Sequence, residues 1–512
     1  MNIFMIFVRD ENFYNLLPEK LNRLMGESTR IRVMALPPLG IQTLAPIVRQ
    51  HGHQVQMFDT CHPQMKTKHI LQAVKEHRPD VIALSLLSTT TYPIAKSMTQ
   101  QIKTVAPSIP IIVGGVFASM NAVQILTDCE SVDCVGVGEG EELLPDYLGN
   151  LDDPGAVAGL IWRKGDRIIS NEPRSLLEDL DKFPYPDRTS LQIDYIEALP
   201  LDVPAVFSLE KFCTMQTTRG CPFNCIYCDI PVYSNHQWRF RSPQHVLGEM
   251  QELNDIGYRS ICITDDHFLL KRDRIKDICS GIINQKFDFH WSCEGRVDSN
   301  AMDQMALMSK ANCKALMFGI EAGTQKILDR IGKKQTLDQI EYAVNEAKKN
   351  GIERIHGFFL IGSPSETKED IMESFRFAAR LKLDTFNFGR LCVYRGTPLW
   401  EEYADRGIID DERDWYKWFK CSDIDPSVLP SKELNRIRMK GYARLFSRRI
   451  FGHPIQSYKL IRSFGRNMEM SDIFKLLTSP FTKRPYFHEP DLPSKMIDLG
   501  IKEPIRSQLS AQ

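Results

Sequence analysis

The feature that most constrains this fold is a strand–helix alternation that occurs twice, with a stretch broken by prolines between the two occurrences. In residues 1–150, short apolar runs at Ile3–Val8, Gln54–Phe58, Val81–Leu86, Ile111–Val113 and Cys134–Val137 alternate with helical patterns. Those patterns lie at Ile41–Gln50, Lys68–Glu76, Ile94–Val105, Asn121–Thr127 and Glu141–Leu148. Alternation of this kind predicts an α/β fold with a parallel, doubly wound sheet. Runs as continuously apolar as Val81-Ile82-Ala83-Leu84 suit strands buried on both faces. Residues 151–205, with Pro154, Pro173, Pro184 and Pro186, read as a linker.

The alternation restarts over 206–400, where strand-like runs end near Thr218, Thr264, Cys293, Gly319, Leu360 and Cys392. Ser242 before Pro243 marks a helix start, and Thr336 with Gln339 and Thr367 with Asp370 read as capping boxes. About six βα units predict a partial, TIM-like (β/α)6 barrel, too few strands to close as an eightfold barrel, with its chemistry at the C-terminal strand ends. Residues 401–512 read as a helical region.

Composition narrows the class. A chain of 512 residues is long enough for two or three domains. A formal net charge of −1 provides no global field for nucleic acid or membrane. Thirteen cysteines, an odd number, without an export signal, point to a reducing cytoplasm.

Those cysteines include the sharpest local signal: Cys221, Cys225 and Cys228 in Thr218-Arg219-Gly220-Cys221-Pro222-Phe223-Asn224-Cys225-Ile226-Tyr227-Cys228. Soft thiolates favour an iron–sulfur cluster or zinc. Gaps of three and two residues let one loop hold three corners of a cube, leaving one iron open to a small chelating molecule. A structural zinc site asks for four protein ligands, and His236 is the nearest further candidate.

With Tyr227 ahead of the last cysteine, this C-x-x-x-C-x-x-C loop resembles that of the radical SAM superfamily, and the likeness extends over about 206–400. The resemblance implies a [4Fe–4S] cluster on the three cysteines, S-adenosylmethionine (SAM) on the open iron, and reductive cleavage of SAM to a 5′-deoxyadenosyl radical. It also implies an external electron donor of flavodoxin or ferredoxin type. Gly319-Ile320-Glu321-Ala322-Gly323 looks like the family's G-x-E-x-G stretch. The SAM-binding residues implied are Tyr227, Asp266, Arg296, Glu321 and Gly323. Thr264-Asp265-Asp266-His267-Phe268 stands where many members carry a GGE stretch, a departure that leaves the two acids as candidates for the SAM amine or as caps of the helix Lys271–Ile283. Arg296 follows Glu294 at the third strand's end; its fork suits the SAM carboxylate, and an ion pair with a neighbouring acid is the alternative. Phe359–Pro364 with Glu366 resembles the stretch beside the adenine.

Upstream, Pro37-Pro38-Leu39-Gly40, Ser85-Leu86-Leu87, Gly114-Gly115 and Gly138-Glu139-Gly140-Glu141 occur in the order of a cobalamin-binding domain. Small residues at such strand ends let the backbone approach a large flat cofactor. The contacts the resemblance implies are Ser85, Leu87, Gly114, Gly115, Gly138 and Glu139. The D-x-H-x-x-G motif, whose histidine ligates cobalt, is absent; His62 comes one place late and reads as a loop residue. A nucleotide-binding Rossmann-like domain is the alternative.

Between Ser431 and Arg466 stand ten Lys/Arg residues and one acid, Glu433, interleaved with Ile437, Tyr442, Leu445, Phe446, Ile450 and Phe451. This pattern fits a helix packed on a domain, or a membrane-surface element. The whole predicts a cobalamin-dependent radical SAM enzyme, a methyltransferase acting on an unactivated carbon of a small-molecule, lipid, tetrapyrrole or peptide substrate. The rivals are an oxidative cyclase of the magnesium-protoporphyrin ester type and a non-catalytic cobalamin- or cluster-dependent sensor.

Overall fold

The structure is a computed structural model, and it describes residues 1–8, 36–60, 65–191, 211–417, 419–424 and 429–452. His62 lies outside them, as do the residues beyond 452 and the side chains of Phe446, Ile450 and Phe451.

The first sheet contains β1 (Asn2–Phe7), β2 (Gln54–Asp59), β3 (Val81–Ser85), β4 (Ile111–Gly114), β5 (Cys134–Gly136), β6 (Leu160–Lys164) and β7 (Arg167–Ser170), in the order β2-β1-β3-β4-β5-β6-β7. Strands β1 to β5 are parallel, and the chain reverses its winding direction between β1 and β3. Helices cover both faces because successive side chains alternate: Phe4 and Ile6 enter one core, Ile3, Met5 and Phe7 the other. Strands β6 and β7 are an antiparallel hairpin on the sheet's edge, so part of 151–205, expected as a linker, belongs to this sheet. Its turn carries Gly165 with φ +59. The Lys164-Gly165-Asp166-Arg167 sequence is a hairpin signal that the proline count obscured. A short helix, Val116–Met120, also precedes the expected one, which spans Ala122–Asp128.

The second sheet is built from β8 (Phe212–Met215), β11 (Ser260–Ile263), β12 (His290–Gly295), β13 (Cys313–Glu321), β14 (Arg354–Ile361) and β15 (Thr385–Arg390), all parallel and in chain order. Six strands with no β8–β15 pairing make an open, partial barrel. The ribbon β9 (Thr218–Arg219) and β10 (Arg239–Phe240) lies outside it. Ser242 accepts from the His245 N–H, and Thr336/Gln339 and Thr367/Asp370 form reciprocal capping boxes.

The helix Ser431–Gly452 docks on the Lys368–Leu381 helix, with Leu434, Ile437 and Leu445 buried in the barrel's core. The Tyr442 hydroxyl accepts the Phe388 N–H at 2.9 Å. This stretch of the basic region is therefore a packed helix. Among the described residues no helix is long and apolar enough to cross a membrane.

Candidate functional site

The cysteine loop leaves the barrel after β8, and its ends are pinned together by the β9–β10 ribbon, Arg219 opposite Arg239 and Thr218 opposite Phe240. Glycine is required at 220: φ is +82, and a Cβ there would sit 2.1 Å from the Gln237 carbonyl oxygen. The Ile226 N–H donates to Ile331 O at 3.1 Å, tying the loop to the segment after β13. Burial raises the Cys221 thiol and pushes Cys228 up to about 12; metal ligation takes such protons off. No three His, Cys, Asp or Glu side chains among the described residues converge on a single metal ion. A mononuclear zinc site needs that convergence, whereas a cube of iron and sulfur spreads its thiolates apart.

Around the loop stand the other residues expected at the barrel mouth. A register shift at Gly319/Glu321 bulges β13, and Glu321 takes φ +66. The bulge re-aims the Glu321 carboxylate onto Lys333 Nζ at 2.8 Å and the Tyr227 hydroxyl. Asp266 accepts the Gly220 N–H at 2.7 Å, and burial pushes its carboxyl up to about 6. Glu294 stands near Asp266 and Asp265 and is raised to about 7, again chiefly by burial. Asp265 does not cap the following helix; it holds the Thr217 backbone N–H and hydroxyl.

Two placements differ from expectation. The Arg296 fork is occupied by Asp298 (2.9 and 2.8 Å), with its Nη1 3.7 Å from Cys225 Sγ and its guanidinium 3.8 Å from the Phe223 ring centroid. It therefore sits beside the cysteines instead of offering a free fork to a carboxylate. Gly323 is a packing position: its N–H donates to Ser374 Oγ at 2.8 Å, and a Cβ would meet the Ser374 Cα at 2.6 Å.

Facing the loop, the C-terminal edge of the first sheet opens into a cavity of about 410 Å³. Ser85, Leu87, Gly114, Gly115, Gly138 and Glu139 all line it. Gly115 has φ +96, and a Cβ there would fall 2.4 Å from Leu86 O, so this wall needs a bare backbone. Glu139 is also engaged across the domain junction. Its carboxylate bonds Arg219 Nη1 (2.8 Å), Arg239 Nη1 (2.6 Å) and the Leu177 N–H, so it clamps the two domains together. Glu141 takes the other end of the Arg219 fork. From the barrel side the cavity is closed by Gln216, Arg219, Gly220, Tyr233, Thr264 and Asp266. Lys333, Asp298 and the Arg219–Arg239 pair were not anticipated: Lys333 and the two arginines act through partners farther away in the chain, and Asp298 through Arg296 two places before it.

The B12-binding domain model matches residues 32–148, and the radical SAM superfamily model matches residues 215–378. The chain is a radical SAM protein with a B12-binding domain. This radical SAM protein is homologous to cobalamin-dependent radical SAM methyltransferases and to magnesium-protoporphyrin cyclase-like enzymes. It is 29% identical over 80% of its length, and 88% of the relative's, to the "Uncharacterized methyltransferase PH0819" of Pyrococcus horikoshii. It is 23% identical, over 81% of this chain and 74% of the other, to the anaerobic magnesium-protoporphyrin IX monomethyl ester cyclase of Rubrivivax gelatinosus. Its fold matches that of the radical SAM methyltransferase TsrM from Kitasatospora setae, solved with cobalamin and a [4Fe–4S] cluster. The TM-score there is 0.66 at 16% identity, covering 79% of this chain and 78% of that one.

The cofactors of these two domains are a [4Fe–4S] cluster, SAM and cobalamin, and the residues present fit them. Three thiols on one pinned loop suit a cluster, and a cavity walled by apolar side chains and, at Gly114 and Gly115, by bare backbone suits a flat ring system. At about 410 Å³ the cavity is within the range of ordinary small-molecule sites, and it has room for part of a cofactor as large as cobalamin.

Proposed function

We propose that this radical SAM protein is a C-methyltransferase acting on an unactivated carbon, with the cluster on Cys221, Cys225 and Cys228 and cobalamin along Ser85, Leu87, Gly114, Gly115 and Gly138. The observation that carries this reading is the shared cavity: strand ends of the first sheet and the stem of the cysteine loop line one space. When bound, the cluster supplies the electron that cleaves SAM, and cobalamin supplies a methyl group; the chain supplies position and exclusion of water. Tyr227, Glu321 and Lys333 form a hydrogen-bonded set beside the cysteines, and Asp266 and Glu294 offer acceptors for an ammonium group at the same mouth. Arg296 puts a positive charge on the cysteine side that offsets the thiolates. The electron comes from an external donor of flavodoxin or ferredoxin type.

The test is anaerobic reconstitution with iron, sulfide and cobalamin, followed by assays against lipid, tetrapyrrole and peptide candidates using SAM labelled in its methyl group. Methylation predicts 5′-deoxyadenosine together with S-adenosylhomocysteine, and label in the product. Formation of 5′-deoxyadenosine alone supports cyclisation, the reaction for which the Rubrivivax relative is named. No SAM cleavage by the reduced protein supports a sensor.

A further inference from the structure

The two domains enclose a second cavity, of about 180 Å³, against the first; Leu87 and Val116 line both. It is reached from the barrel side by Asp229, the residue after Cys228, and by Tyr394, and from the N-terminal domain by Asn121. Leu87 is 53% exposed and Tyr394 39%, large exposures for side chains set between two domains, because each faces a cavity.

The polar groups around this space are unevenly satisfied. Arg395 is committed, pairing with Asp411 and donating to Met120 O at 2.8 Å. Lys417 Nζ bonds Asp414 at 2.6 Å, and Trp400 Nε1 bonds Asp411 at 2.9 Å. Asn121, only 2% exposed, donates its Nδ2 to Phe117 O at 2.9 Å, but its Oδ1 has no partner among the described residues. A buried acceptor without a donor forfeits its hydration, so Oδ1 calls for a donor from outside the described residues. The Asp229 carboxylate, held by its own N–H and that of Ile230, adds a second acceptor. Three of the donors here are engaged, and Asn121 Oδ1 and Asp229 add two acceptors. The walls are aromatic, with Trp415 lying 6.2 Å from the Phe117 ring, centroid to centroid.

A site of this kind selects a planar group that carries an N–H or O–H donor. Its volume lies below the about 300–1,000 Å³ of whole small-molecule sites, so it takes one ring-sized part of a larger molecule. We infer that this second cavity binds the donor-bearing aromatic or heteroaromatic end of the substrate, with its N–H or O–H directed at Asn121 Oδ1. Naming that ligand as substrate rests on the methyl-transfer reading; the binding chemistry does not.

The test titrates 5-fluoroindole and 1-methyl-5-fluoroindole into the cobalamin-loaded, cluster-reconstituted protein, followed by fluorine NMR. The N–H probe binds, and the N-methyl probe binds at least about tenfold more weakly, the loss of one buried hydrogen bond. Asn121→Leu equalises the two probes while cobalamin stays bound, and Tyr394→Ala weakens both. The probe pair on the unmodified protein needs no variant to fold. Equal affinity of the two probes, or binding of neither, overturns the inference. So does release of cobalamin by Asn121→Leu with probe discrimination unchanged, which gives the cavity to a side group of the cofactor. Discrimination without methyl transfer in the reconstituted enzyme supports this cavity's ligand class and counts against the proposed reaction alone.

Discussion

The cysteine loop and the cavity it faces are built by opposite means. The loop draws its three thiols from eight consecutive residues, and a two-residue ribbon closes its stem. The cavity wall is drawn from the ends of β3, β4 and β5 and exists only once the sheet has formed. A locally encoded site fails through its own loop geometry, and an assembled one through the approach of backbones remote in sequence.

Substitutions that strike one construction and spare the other sharpen this contrast. The largest effect is expected from Gly220→Ala. Its φ of +82 and the 2.1 Å approach to Gln237 O leave no space for a methyl group, so essentially all bound iron is lost on reconstitution while cobalamin still binds. Iron assay and the cluster's visible absorbance read the first, equilibrium dialysis the second. Gly115→Ala is the mirror experiment. The unfavourable φ of +96 and the contact with Leu86 O cost about 2–3 kcal/mol, an affinity drop for cobalamin of about 30–150-fold, with iron content unchanged.

The smallest effect belongs to Glu366, at the end of the fifth barrel strand. Burial pushes its carboxyl up to about 8, although it accepts N–H bonds from Gly362 (2.6 Å) and Ser363 (3.0 Å). Between the ordinary carboxylate range and pH 8 the folded chain keeps a proton that the unfolded chain releases. The stability this group contributes is therefore full at low pH and falls as pH rises through that window. Glu366→Gln keeps an acceptor and removes the titration, so at pH 9 the variant gains stability on the order of 1 kcal/mol over the parent, with little difference at pH 5. Urea unfolding at the two pH values checks it, and a parent stability that rises over this range would contradict it.

What was legible in the sequence follows the same divide. The cysteine spacing, the alternation of elements and the capping boxes at Thr336 and Thr367 are local patterns, and local physics decides them. The cavity's glycines were legible through their order along the chain. Side chains whose partners lie across the domain junction were not. Glu139 looked like a cofactor contact because it lies between Gly138 and Gly140, yet Arg219 and Arg239, some eighty and a hundred residues on, take its carboxylate. Arg296 looked like a free fork because Asp298, two places away, is as readily a solvated acid as a partner. Gly323 belonged to a motif, but the helix packed on it is formed by residues fifty positions later.

The central claim is that two separately built cofactor sites share one cavity. Its most direct test is the affinity of hydroxocobalamin for Cys225→Ala, measured anaerobically beside the parent chain. The account predicts no 5′-deoxyadenosine from the variant and a cobalamin affinity within about threefold of the parent, a difference below about 0.7 kcal/mol. Loss of cobalamin together with the cluster would contradict it, because the two sites would then be one.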